Sequence, residues 1–171
     1  PPTPEESQGW QMGWGTESSH TGGASTGPRH SLGGGLSLHH PLPPSTWLSI
    51  RVSGQHSLRS ADRLSSASLS LRLGRDTRWL GTRPTMGVAL QAFQFRTIGA
   101  DQDTHRARFG NLEGQLGIEF RPEQSRSWQS VVGVQLGLPG RELQVKRTSD
   151  GSTLWSSGPI FLHLEISLEH R

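Results

Sequence analysis

The chain has 171 residues, enough for one domain with one core, yet only 30% of them are apolar and mean hydropathy is −0.55. It has no cysteine, which excludes a disulfide framework or a thiolate metal site, and its net charge of +3 comes from scattered arginines, with Lys146 the one lysine. No aromatic-plus-basic motif marks a nucleic-acid binder, and no apolar run is long enough for a membrane-crossing helix.

The chain opens Pro1-Pro2-Thr3-Pro4-Glu5-Glu6-Ser7. This polar start fits a mature N-terminus left after signal-peptide removal and fits an ordinary tail equally well. A flexible tail is expected over 1–7 and a single domain over 8–171. Trp10, Met12 and Trp14 alternate with Gln11, Gly13 and Gly15, which predicts a first strand near 8–17. The Ser/Thr/Gly-rich segment 18–28 reads as a long loop. A second strand near 29–40 sets Leu32, Leu36 and Leu38 against Ser31, Gly33, Gly35 and Ser37. The sequence His39-His40-Pro41-Leu42-Pro43-Pro44 then reads as a stiff connection, because prolines remove ladder donors.

A third strand near 45–57 places Leu48, Ile50 and Val52 opposite Ser49, Arg51 and Ser53. A fourth, near 64–74, places Leu69, Leu71 and Leu73 opposite Ser68, Ser70, Arg72 and Gly74. The fifth, near 84–98, is less regular. Val88, Leu90 and Ala92 share a face while Phe93 and Phe95 take the other, so a bulge or a bulky inward side chain is expected. After a polar loop over 99–106, the sixth strand is the clearest. In 109–120, Leu112, Leu116, Ile118 and Phe120 face one way, and Asn111, Glu113, Gln115, Gly117 and Glu119 the other.

A short turn over 121–127 leads to a seventh strand near 127–138, with Val132, Val134, Leu136 and Leu138 against Gln129, Gly133, Gln135 and Gly137. The connection 139–158 contains Asp150-Gly151, a hairpin signal, and should rise as a small ribbon. In the last strand, near 159–170, Ile160, Leu162, Leu164, Ile166 and Leu168 oppose Phe161, His163, Glu165, Ser167 and Glu169.

Alternation alone also suits a soluble, secreted β-sandwich acting as a binding module. Three features favour an all-β, eight-stranded antiparallel up-and-down barrel that crosses a membrane. The polar faces mix glycine with charge, as a narrow lumen requires. The apolar faces are rich in leucine and almost free of charge, as lipid contact requires. Trp10, Trp14, Trp47, Trp79, Trp128 and Trp155 fall mostly near strand ends, where an interfacial belt would lie. The links after strands 1, 3, 5 and 7 are mostly polar and the first and last are long, whereas those after strands 2 and 6 are short and contain proline.

In pattern and loop rhythm over 8–171 the chain resembles the small eight-stranded bacterial outer-membrane barrels, the group of the OmpA transmembrane domain and OmpX. It departs from them in having no tyrosine and in ending Glu169-His170-Arg171 rather than on an aromatic residue. The resemblance implies a non-enzymatic, porin-like protein of the cell envelope, located in the bacterial outer membrane. Its role would be structural or anchoring, one of surface interaction, or that of a subunit in a larger envelope complex. Membrane lipids are the expected partners, with envelope proteins contacted through loops 18–28 and 139–158; no nucleic acid is expected.

Eight strands leave no room for a water channel, so opposite charges inside should pair. Parity puts Arg51, Arg72, Glu113, Glu119 and Glu165 in the lumen, as a structural plug or as a gate for ions. His163, Glu165, Ser167 and Glu169 share that face and invite a hydrolase reading, but residues two apart on one strand point in parallel, so a base and a nucleophile must meet across strands instead. No histidine has serine two positions on, the arrangement found in lipid-hydrolysing barrels, so no catalytic residue is assigned. His39-His40 could meet His20, His30 or His105 at a metal, but the adjacent pair should point apart, so neither metal nor cofactor is expected. Gly33-Gly34-Gly35 is read as room for a close neighbour rather than a phosphate loop.

Overall fold

The computed structural model describes residues 9–22, 29–57, 62–77, 81–98, 104–122, 128–146 and 150–170. The expected tail over 1–7 lies outside them. Among the described residues all regular structure is β: β1 (Gln11–Gly22), β2 (His30–Leu42), β3 (Thr46–Ser57), β4 (Asp62–Arg75), β5 (Thr82–Ile98), β6 (Thr104–Phe120), β7 (Trp128–Pro139), β8 (Gln144–Lys146), β9 (Thr153–Ser156) and β10 (Ile160–His170). Eight of them close into an antiparallel barrel in the order β1-β10-β7-β6-β5-β4-β3-β2, and β8 pairs with β9 as a separate ribbon. The fold is therefore an eight-stranded up-and-down barrel.

Period-two alternation fixes the two faces of this wall. Outward-pointing Leu36, Met86, Leu90 and Leu116 are 62, 61, 60 and 54% exposed, while inward-pointing Glu113 is 0% exposed. This is the reverse of a water-soluble protein. It also overturns the sandwich alternative, because the leucines do not meet each other in a layer between sheets.

Several strands outrun their apolar patterns. β1 continues to Gly22, through part of the segment read as loop 18–28, because Ser18 has ladder partners on both sides in Leu32 and Leu164. β6 begins at Thr104, inside the expected 99–106 loop, where it pairs with Ile98 of β5. β2 includes Pro41 and Leu42, read from the sequence as a turn. Its pairing with β1 ends at Gln11↔His39, so beyond that point one edge has no ladder partner among the described residues and a missing donor costs little there. β5 pairs with β4 and β6 without a register shift. Its irregular pattern reflects Phe93 and Phe95 pointing inward, where both are buried.

The ribbon corrects two further expectations. β7 pairs with β6 only from Glu113↔Pro139 to Phe120↔Val132, and Gly140 N–H then donates to Leu112 O at 2.7 Å. From there the chain folds inward across the barrel mouth rather than rising from it. Leu143, Val145 and Trp155 join Leu64, Phe93, Phe95 and Phe161 in one apolar cluster, with Ala107, Phe109 and Leu154 packed against it. Trp155 is wholly buried there, so it does not belong to an interfacial belt. Trp10, Trp14 and Trp128 are exposed on the outer wall towards the end that carries the termini. Trp79 lies outside the described residues.

Candidate functional site

The lumen between the termini and the aromatic plug is filled by ion pairs. Midway, a ring of side chains crosses the interior. Arg51 on β3 donates from Nε to Glu17 Oε2 of β1 at 3.3 Å and from Nη1 to Glu165 Oε1 of β10 at 2.5 Å. Glu165 Oε2 accepts from Arg72 Nη1 of β4 at 3.0 Å. Arg72 Nε donates to Gln115 Oε1 at 2.9 Å, and Gln115 Nε2 donates to Glu113 Oε1 at 2.8 Å. Gln91 Nε2 of β5 reaches Glu113 Oε2 at 2.9 Å.

His163 on β10 closes the ring, with Nε2 3.1 Å from Glu113 and Nδ1 3.3 Å from Glu17. Only Nε2 makes a hydrogen bond, to Glu113; Nδ1 has no hydrogen-bond partner among the described residues. Ser167 Oγ, on the same face of β10, has no hydrogen-bond partner among the described residues, so it and His163 do not form a nucleophile–base pair.

A second layer lies nearer the termini. Ser49 Oγ contacts His39 Nδ1 at 2.6 Å, and His39 Nε2 lies 3.0 Å from Glu169 Oε1. Arg121 binds Glu169 through both terminal nitrogens, Nη2 to Oε1 at 2.9 Å, and contacts Glu119 Oε2 from Nη2 at 3.0 Å. Arg83 Nη1 is 3.8 Å from Glu119, and its Nη2 is 2.7 Å from Asp76 at the barrel opening. Its guanidinium carbon sits 4.5 Å over the Trp47 ring, whose Nε1–H donates to Asp76. The Trp47 ring is thus occupied by polar contacts at the opening.

All five residues assigned to the lumen from parity are inside. Arg51, Arg72, Glu113 and Glu165 share the ring, and Glu119 belongs to the second layer. Sequence reasoning left Glu17, Arg83 and Arg121 out of the cluster. Each carries the inward parity of its strand, but each falls at or beyond the edge of the apolar pattern. Glycines make room for the ring. A Cβ at Gly137 would coincide with the Glu113 carboxylate, and one at Gly33 would strike the backbone of Gly54 and Gln55.

His39 and His40 point apart. His40 stacks on Trp10 outside, at 4.9 Å between ring centroids. His20 and His30 meet at the opposite end of the barrel, with their Nδ1 atoms 3.2 Å apart. Among the described residues no group of three His, Asp or Glu side chains is arranged to hold a metal.

Above the ring the lumen turns apolar. Phe93 and Phe109 stack at 5.4 Å, Phe109 and Trp155 at 5.5 Å, and Phe161 lies 6.3 Å from Phe93. Polar contacts join the two arms of the ribbon to each other. Ser157 N–H donates to Leu143 O at 2.9 Å, and Leu143 N–H donates to Ser157 Oγ at 3.0 Å. Hydrogen bonds from Ser156 and Gln144 hold the exposed Glu142 carboxyl below the usual carboxylate range. Among the described residues the interior is thus occupied by buried charged pairs below and aromatic rings above.

No protein-family model matches the chain, and no curated protein sequence matches it. Solved structures do. The chain is similar to Neisserial surface protein A (NspA) at 9% identity and TM-score 0.53, with 94% of each chain covered. It is similar to the N-terminal β-barrel domain of Pseudomonas aeruginosa OprF at 12% identity and TM-score 0.53, covering 95% of this chain and 98% of that one. It is also similar to a major outer membrane protein from Thermus thermophilus, at 13% identity and TM-score 0.59, covering 93% and 98%. The shared feature is the fold, that of the small eight-stranded outer-membrane barrels.

Proposed function

We propose that this chain is a non-enzymatic barrel protein of the bacterial outer membrane, which anchors itself in the bilayer and presents its loop end for structural or surface contacts. One observation carries this reading: the wall is apolar outside and ionic inside, which is stable only where the surroundings are hydrocarbon. The similarity in fold to outer-membrane barrels supports it.

The paired charges act as packing that holds the strands together. The lumen is filled at two levels by ion pairs and at a third by the aromatic plug, which argues against an open pore. The sides of Arg141, Glu142, Gln144 and Lys146 that face solvent are the surface the ribbon offers to envelope partners. Of the 18–28 segment, residues 18–22 belong to β1 and 23–28 lie outside the described residues.

Reconstitution tests the reading. The refolded chain should insert into phosphatidylcholine vesicles, migrate faster on a gel unheated than boiled, and show no steady ion conductance. A detergent-free, monodisperse monomer would overturn the membrane assignment, and porin-sized conductance would overturn the plugged lumen.

A further inference from the structure

The two ends of the outer wall differ. Towards the termini Trp10, Trp14 and Trp128 face outward, whereas at the loop end of β4, β5 and β6 the outward positions are basic. The ladder sets Arg63 beside Arg96, and one outward step down it sets Gln94 beside Arg108. Neighbouring strands lie about 5 Å apart, so Arg63 and Arg96 are cross-strand neighbours and Arg108 lies one step below them on the next strand. Like charges opposite one another across strands destabilise a sheet unless something neutralises them.

No described outward residue of these three strands is acidic. Arg63, Arg96 and Arg108 have no ion pair among the described residues, and Arg96 Nε is enclosed without a hydrogen-bond partner. These arginines also sit at a defined height. The last outward leucine row, Leu69–Leu90–Leu112, is four residues below Arg108, or about 13 Å along the strand. That separation carries the guanidinium groups out of the hydrocarbon and into the headgroup layer.

Between the leucines and the arginines the wall is small. Ala67, Ala92 and Gly110 form a transverse row and line a depression of 570 Å³ bordered by Arg108. A second depression of 490 Å³ shares Gly110 and reaches Arg141, whose Nη2 donates to Gly110 O at 3.4 Å. Guanidinium groups above a shallow apolar shelf match an amphiphile with a phosphate head and an acyl chain.

We infer that the outer wall of β4–β6 is a binding site for a phosphate-monoester lipid of the leaflet at the loop end, its phosphate held by Arg63, Arg96 and Arg108. The inference rests on the membrane reading above, and the test separates the two. Wild type, an Arg63→Gln/Arg96→Gln/Arg108→Gln variant and an Arg75→Gln control at the opposite end are refolded into nanodiscs of phosphatidylcholine and phosphatidic acid. After release into detergent, retained lipid is counted by native mass spectrometry.

Wild type and the control should retain phosphatidic acid at least about tenfold over phosphatidylcholine, and the triple variant should lose that preference, since each basic residue at an anionic surface contributes severalfold. Insertion of all three proteins with equal retention would overturn this site while leaving the membrane barrel intact. Loss of the preference in millimolar inorganic phosphate would overturn the lipid assignment in favour of a soluble anion. Failure of the wild type to insert would overturn the membrane reading, and this inference with it.

Discussion

Below Gln91 the lumen is packed with charge, and above it with aromatic rings, so one narrow tube is filled by two kinds of chemistry. In the charged part the ion pairs are directional and most of them join different strands. Glu17 of β1, Arg51 of β3, Arg72 of β4, Glu113 of β6 and His163 of β10 meet in one ring. In the upper part Phe93, Phe109, Phe161 and Trp155 meet through non-directional contacts, and the ribbon adds Leu143, Val145 and Trp155 to residues of the wall. The difference separates two tasks. Directional pairs specify register, because a slip of one residue would turn every charge into the bilayer. The rings seal the mouth and tolerate changes of shape.

Breaking the ring should have the largest effect. Glu165→Leu leaves Arg51 and Arg72 buried without their shared carboxylate and is expected to cost about 3–5 kcal/mol, read from urea titration of the barrel in vesicles. Trp155→Ala should cost about 3–4 kcal/mol within the plug. Its signature differs: hydrogen exchange should rise over 143–157 while β1, β3 and β10 near the ring stay protected. If Trp155→Ala loosens the ring strands as much as Glu165→Leu does, the two regions are not separate units.

Two substitutions on β6 sharpen the comparison by placing a third environment beside the lumen. Leu116→Arg puts a charge on the lipid face and should cost about 2–4 kcal/mol in the same titration. Glu113→Gln keeps the shape but turns an amide NH2 towards donors from Gln91, Gln115 or His163, and should cost about 1–2 kcal/mol. A reversed order for this pair would mean that the faces are assigned the wrong way round.

Much of this was legible in the sequence because a strand writes its two faces as odd and even positions. Arg51, Arg72, Glu113, Glu119 and Glu165 all follow from that parity. Their pairing does not, since which arginine meets which glutamate depends on the stagger between strands, and no single strand encodes it. Arg121 was hidden in the expected turn over 121–127 and Arg83 by standing just before the expected start of the fifth strand at 84, although each keeps the inward phase of its strand. Glu17 lay where the apolar half of the β1 pattern fades while its ladder continues.

The ribbon was visible through Asp150-Gly151, and Gly151 indeed takes a positive φ of 68°. Its inward fold was not visible. Trp155 near a strand end is equally compatible with a membrane interface, and only the rings from β5, β6 and β10 waiting in the mouth draw it inside.

Because the chain has no cysteine, single ones can be placed at Leu112, Leu116, Ile118 and Phe120 and spin-labelled in vesicles. The account predicts collision with oxygen, which concentrates in hydrocarbon, and shielding from a water-soluble nickel chelate at all four. Collision with the nickel chelate, or burial from both reagents, would place those side chains in water or in a protein core and contradict it.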